Sequence, residues 1–431
     1  MYGQCVQPNG HVQKRIQDLV RLSLTLRDER KMARFIDAYI EDTAFVRTDV
    51  YQRELIAPAA VLESTGQPNP FVEPFGVRIE ARAPVGKVAV LLPKNGLGLT
   101  MCKSIAAAYL MGNDTIVHLP RQLSTSGEIY RRILREHLPG LEFAPRQQSP
   151  REFLLNCLRR PDVTAVVIYG DDGWIDGYWS LAKETLTKVI FEGPGNDPLI
   201  VFPDADVTAA VGGAVRCGLN NGGQSCSALE RFFVHTAIEK EFTEGLVEDL
   251  KQLRLGSPTE PGVNLGPIAS SRVFRRIQEQ VEEAVTLGAR LILGGQAMRS
   301  DFRDLPIYQP TVLTNCRTEM AVVRDETFGP VFPIITFDDV ESLRSMVGDT
   351  KYGLNASVYG TCPPEFAQYL ESSHRNVYYD STCVDPQNRM SRVLDGGYKR
   401  SGIIWEQKGN HYVQREGKRY LVKELSVPNT L

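Results

Sequence analysis

The chain has 431 residues, 42% of them apolar and 23% charged, with a formal charge of −3, and it is too long for one compact core. No block of basic residues marks a nucleic-acid footprint, and the strand-like apolar run from Val88 to Leu92 is far too short for a bilayer. Eight cysteines without a C-x-x-C pair and six scattered histidines without an H-x-x-x-H pair speak against a disulfide frame and a metal centre.

Met1 to Lys14 is mostly polar and holds no signal-peptide core, so the expected compartment is the cytoplasm. Residues 11 to 45 follow a helical pattern, with Ile16, Leu19, Val20 and Leu24 on one face. The Pro and Gly cluster from Gly66 to Gly76 reads as a linker, and Val77 to Arg82 alternates apolar and charged residues as an edge strand does. A strand is expected at Val88 to Leu92, a small-residue helix at Ser104 to Leu110, and a strand at Thr115 to Val117. A helix at Ser126 to Glu136 and a buried strand at Ala165 to Ile168 come next. That rhythm argues a parallel sheet with crossover helices.

After Glu192 the rhythm repeats. Strands are expected at Leu199 to Phe202, Phe232 to His235 and Val331 to Phe337, and helices at Val207 to Cys217, Ile238 to Leu253 and Arg272 to Leu287. Two such units suggest two α/β domains with a cleft between them. Between the second unit's first helix and its next strand lies Asn220-Asn221-Gly222-Gly223-Gln224-Ser225-Cys226-Ser227-Ala228. Loop formers ahead of a single thiol let the backbone approach a ligand closely and can leave the thiol exposed. A lone Cys is more often a buried packing residue, and the rest of the chain decides between the two.

Six ordered motifs decide it. They are Pro93-Lys94-Asn95, Gly112-Asn113, Glu192-Gly193-Pro194-Gly195, Gly223-Gln224-Ser225-Cys226, Glu326-Thr327-Phe328-Gly329-Pro330 and Gly396-Gly397-Tyr398-Lys399-Arg400-Ser401-Gly402. From about Val77 onward the chain resembles the aldehyde dehydrogenases in the order and spacing of these motifs. The resemblance implies an α/β fold with a Rossmann-like cofactor domain, an α/β catalytic domain and a small β oligomerisation flap. Expected boundaries are 1–193 for the cofactor domain, 194–402 for the catalytic domain and 403–431 for a C-terminal oligomerisation segment. Residues 77–84 would join the flap, with Tyr420, Val422 and Leu425 apolar in its C-terminal part.

The same resemblance assigns roles. Cys226 would be the nucleophile, because a thiolate is the best nucleophile a side chain offers near pH 7. The Asn95 amide and the Cys226 N–H would hold the oxyanion, and Glu192 would activate water against the thioester. Glu326 would hold the nicotinamide ribose and Phe328 would pack beside it. Taken singly, Asn95 could cap the next helix, Glu192 could be a loop carboxylate and Glu326 a surface charge.

Departures from the family pattern set further expectations. His118 stands at the family's adenosine-ribose lysine, and Arg121 at the acidic position that accepts the NAD 2′-hydroxyl, so NADP is admissible beside NAD. The loop after the third strand reads Gly170-Asp171-Asp172-Gly173, and two carboxylates at a helix N-terminus would repel a pyrophosphate. A second family lysine falls on Ser104, with Lys103 one place early. Lys94 beside Asn95 and Ser227 after Cys226 suggest a polar or carboxylate-bearing semialdehyde. The leading expectation is NAD(P)-dependent oxidation of a small-molecule aldehyde by a homodimer or homotetramer, with no nucleic-acid, membrane or metal partner. Two alternatives remain: a CoA-acylating dehydrogenase, and a non-catalytic member that no longer holds the dinucleotide.

Overall fold

The computed structural model describes residues 10–64, 82–388 and 395–428. The expected linker at 66–76 and all of the expected 77–82 strand except Arg82 lie outside these residues. Among the described residues no helix is long and apolar enough to cross a membrane.

The N-terminal helical stretch is two helices, Gly10–Arg27 and Glu29–Thr43, because Asp28 caps the second by accepting from the backbone N–H of Arg30 and Lys31. A short helix, a π-helical turn at Tyr51–Ile56 and the helix Ala57–Ser64 complete this layer. π-turns swing side chains out of α-helical register and recur at functional sites. This one supplies Arg53 to the cleft described below.

The first sheet has nine strands. Its parallel part runs Lys188–Glu192, Val163–Tyr169, Lys87–Leu91, Asp114–His118, Leu141–Phe143. Val163–Tyr169 is buried at all but its second and last positions, and a strand covered on both faces reads as a continuous apolar run. The crossover helix after Lys87–Leu91 spans Leu97–Leu110, so it begins seven residues before the expected Ser104. Asp42 reaches over from the N-terminal layer to cap the helix Ser124–His137, accepting from the Ser124 hydroxyl and the Ser126 N–H.

The second sheet has seven strands, ordered Asn376–Tyr379, Asn355–Tyr359, Asp197–Val201, Leu229–His235, Val331–Phe337, Thr311–Thr314, Arg290–Leu293. All its pairs are parallel except the last. The chain crosses to this sheet between Glu192 and Asp197, touches the first again with the short strand Tyr352–Gly353, and returns to it for good at Asp395.

That return differs from the expected flap. Gly402–Lys408 and His411–Arg419 form an antiparallel hairpin that docks on Lys188–Glu192 and widens the first sheet. Most of the 403–431 segment is therefore part of the first sheet. Tyr420 to Leu425 is not a strand: Leu421–Glu424 is helical, and Leu421, Val422 and Leu425 are buried in the first core. Only Ser426–Pro428 pairs with Arg82–Pro84 as a two-stranded ribbon.

Candidate active site

The helix Val207–Gly218, capped by Asp206, runs into the loop that carries Cys226. Asn221, Gly222 and Gly223 take φ of 57°, 63° and 78°, three successive left-handed residues that the Asn-Gly-Gly sequence tolerates. Gly195 is needed for the same loop, since a Cβ there would strike the Cys226 carbonyl oxygen. The result puts the Cys226 side chain, which is exposed, in the wall of a cleft of about 600 Å³. The loop's internal backbone bonds run from Gln224 to Asn221, Ser225 to Gly223 and Ala228 to Ser225, and none uses the Cys226 N–H.

Asn95 faces the same cleft and is not a helix cap: Gly96 holds the N-cap position. Its amide donates to the Gln224 carbonyl at 3.3 Å, and its own carbonyl accepts from the Asn221 amide at 3.2 Å. One amide hydrogen is thus engaged by the Cys226 loop, and an NH₂ group carries two.

Cys226 is exposed at the cleft, yet protein packs closely around the thiol. Desolvation, with the Glu326 carboxylate adding to it, pushes the Cys226 thiol up to about 11. Arg375 and Arg53, both lining the cleft, pull the other way. Arg375 is steadied by Asn355 Oδ1 at 3.2 Å, and Arg53 reaches the Asn95 carbonyl at 3.4 Å. Neither arginine stands in a motif, and sequence reasoning missed both.

Glu192, at the end of its strand, is buried against the cleft at 8% exposure. Its Oε2 accepts from the Gly396 N–H at 2.7 Å, and Arg419 Nε lies 3.8 Å from Oε1. Burial raises this carboxyl, Arg419 opposes the rise and Asp395 adds to it. Lys103, not Ser104, reaches the cleft, and its ammonium pairs with Asp395 at 3.2 Å. Ser104 turns inward, donating to the Thr100 carbonyl.

The other end of the cleft holds Gly170, Glu326 and Phe328. Glu230, buried on the strand after Cys226, accepts from the N–H groups of Thr327 and Phe328 at 2.7 Å each. These bonds hold Phe328 at φ 61° and so fix the Glu326–Phe328 turn. Arg276 sits 6.0 Å over the Phe328 ring and faces Glu326. A carboxylate that can accept from vicinal hydroxyls, beside an aromatic face and a cation, fits a nicotinamide riboside and its phosphate.

Two expectations about this end need correction. No α-helix begins at Gly170: the chain passes through turns and a 3₁₀ turn, and the helix starts at Trp179. The two carboxylates are also neutralised. Asp171 pairs with Arg272 at 3.2 Å, and Asp172 with Arg400 at 3.4 Å and Lys351 at 3.7 Å. His118 and Arg121 do not line the cleft. His118 is buried, its Nε2 2.9 Å from the Gln148 carbonyl and its ring against Phe153, whereas Arg121 is exposed.

Of the two substrate candidates, Ser227 lines the cleft and shares a hydrogen bond with the Ser225 hydroxyl at 3.2 Å. Lys94 does not line it: its carbonyl accepts from the Tyr39 hydroxyl, and burial lowers its ammonium. Besides Lys103, Arg272 and Arg276, the cations lining the cleft are Arg53, Arg216 and Arg375, with Arg216 also paired to Asp385 at 3.1 Å.

The aldehyde dehydrogenase family profile matches residues 56–416. Lactaldehyde dehydrogenase of Escherichia coli is 30% identical over 327 residues, which is 74% of this chain and 66% of that protein. A succinate-semialdehyde dehydrogenase [NADP(+)] of Mycobacterium avium is 32% identical over 60% of this chain and 54% of its own length. A 3-sulfolactaldehyde dehydrogenase of Priestia aryabhattai is 29% identical over 80% and 68%. The matches thus span roughly half to two thirds of these relatives. Among solved structures, aldehyde dehydrogenase C of Pseudomonas syringae superposes with a TM-score of 0.82 at 23% identity, covering 97% of this chain and 84% of that one. The ordered motifs, the cleft that gathers four of the six and the profile match over most of the sequence agree, and the chain belongs to the aldehyde dehydrogenase family.

Proposed function

We propose that the protein oxidises an aldehyde to its carboxylic acid through a thioester on Cys226, with NAD or NADP as acceptor. The observation that carries this reading is the convergence of Cys226, Asn95, Glu192 and Glu326 on one cleft. Cys226 Sγ would add to the aldehyde carbon once ionised, helped by Arg53 and Arg375. The second Asn95 amide hydrogen and the Cys226 N–H would then hold the developing oxyanion; losing one such donor typically costs ~10²–10³ in rate. A dinucleotide lying along Gly170, Glu326 and Phe328 would accept the hydride when bound. Glu192 would next take a proton from water as the oxygen attacks the acyl carbon and the C–S bond breaks, returning the Cys226 thiolate.

The substrate we infer is a small semialdehyde with an anionic or strongly polar tail. Arg53, Arg216 and Arg375 line the cleft with Ser227, and relatives are named for lactaldehyde, succinate semialdehyde and 3-sulfolactaldehyde. A charge-assisted hydrogen bond to such a tail is worth roughly 1.5–3 kcal/mol, about tenfold to a hundredfold in kcat/KM. A cytoplasmic homodimer or homotetramer suits the family, and the Arg82–Pro84 and Ser426–Pro428 ribbon presents an open edge to a second copy.

The test follows NADH or NADPH formation from a dicarboxylic semialdehyde and from an alkyl aldehyde of equal length. The semialdehyde should win by at least tenfold in the wild type and lose that lead in Arg53→Met. No reduced dinucleotide from either aldehyde would sink the oxidation, preference for the alkyl chain would sink the anionic tail, and turnover only with added CoA would reassign the acyl acceptor.

A further inference from the structure

The strand His411–Arg419 delivers a buried cation to the back of the cleft. The Arg419 side chain is 1% exposed, and its Nε, Nη1 and Nη2 make no hydrogen bond among the described residues. An unsatisfied buried guanidinium is costly unless an anion faces it. That anion is Glu192, whose Oε1 lies 3.8 Å from Arg419 Nε and also lacks a hydrogen bond among the described residues.

The backbone is built around this pair. Asp395 and Arg419 are register partners on adjacent strands, and Gly402 is the register partner of Glu192. A Cβ on Gly396 would strike Arg419 Nε, and one on Gly402 would fall 2.7 Å from Nη2. Two glycines of the Gly396-Gly402 motif thus leave the space that the guanidinium fills.

Other groups face Glu192 from every side. Tyr169, its register partner on the neighbouring strand, brings a buried phenol. Asp395 brings a negative charge paired with Lys103 from the helix Leu97–Leu110. Arg375 adds a more distant positive charge, and the Gly396 N–H a hydrogen bond. Among these, Arg419 is the strongest influence favouring the charged form.

We propose that Arg419 is a positioning residue for the hydrolytic half of the reaction, holding the Glu192 carboxylate charged and fixed at the cleft. The proposal rests on the reading that Cys226 carries an acyl group and Glu192 activates water against it. A general base must be ionised before it can take a proton, and burial beside Asp395 works against that. Arg419 opposes both without cancelling them. The hydrolytic step needs it; formation of the acyl bond at Cys226 does not.

The test uses 4-nitrophenyl acetate without dinucleotide. Acylation forms the Cys226 Sγ–C bond and expels nitrophenolate as a burst; in deacylation Glu192 takes a proton from water, the water oxygen bonds to carbon and the thiolate leaves. Arg419→Met should keep the burst while the steady state falls tenfold to a hundredfold at pH 7. The rising limb of its pH profile should also move up by about one unit, and Arg419→Lys should restore most of both. An unshifted limb in Arg419→Met, or burst and steady state falling in parallel, overturns the proposal. Should Arg419→Met not fold, Glu192→Gln/Arg419→Met decides: folding of the double variant supports the pairing, and failure of both overturns it. A wild type that forms the ester burst but no reduced dinucleotide from any aldehyde removes the oxidation reading and leaves the Arg419 assignment in place.

Discussion

A thiol held near 11 leaves only about a thousandth of Cys226 as thiolate at pH 8, so its neighbours decide its reactivity. Desolvation and Glu326 set the upward shift, and Arg375 and Arg53 limit it. Alkylation of Cys226 by iodoacetamide, followed by peptide mass spectrometry, should therefore accelerate almost tenfold per pH unit from 7 to 9 without levelling. Arg375→Met removes one of the two opposing cations and should slow alkylation severalfold at every pH in that range. A plateau below pH 8 in the wild type, or an unchanged rate in the variant, contradicts this account of the thiol.

At the scale of elements, the turn that bears Glu326 is tied by one carboxylate to the strand that follows the Cys226 loop. Glu230, the second residue of the strand Leu229–His235, accepts both backbone N–H groups of Thr327 and Phe328. Glu230→Gln keeps the shape but offers one acceptor oxygen where two are used, at a cost of roughly 1–3 kcal/mol. Dinucleotide affinity by calorimetry should then fall about tenfold or more while Cys226 alkylation in the free protein holds steady; unchanged affinity would mean the turn does not need the bond. The contiguous parts of this arrangement were legible in the sequence because loop formers and motif residues sit side by side. The family lysine falls on Ser104 in a gapless count from Asn95, and only the helix Leu97–Leu110, whose start a Gly-rich apolar run hides, shows which side chain faces the cleft. Leu99, Thr100 and Lys103 then share the cleft face, and Ser104 turns inward. Arg53, Arg375 and Arg419 were not legible at all: each lies outside every motif, and only the fold brings them together.

At the scale of the molecule, the N-terminal helical layer is clamped to the crossover helix Leu97–Leu110 through a buried carboxyl. Glu54 is 1% exposed, and its Oε2 accepts from the Gly98 N–H at 2.5 Å. Close approach forces this, since a Cβ on Gly98 would strike the Glu54 backbone. Desolvation raises Glu54 to about 7, with the Gly98 N–H and Arg53 only partly opposing it. The folded protein therefore binds this proton more tightly than the unfolded chain does. Glu54's contribution to stability is fully present below its unfolded value near 4.5 and is lost as pH rises through 7. Glu54→Gln keeps an acceptor for Gly98 and removes the charge, so it should gain on the wild type as pH rises. The gain at pH 8 should be about 2–3 kcal/mol, with little difference at pH 5. Paired denaturation curves of the two proteins from pH 5 to 8 isolate this group, because every other titrating residue is common to both. A stability difference that stays constant across that range would mean Glu54 is already ionised in the folded state, with Arg53 close enough to hold it so.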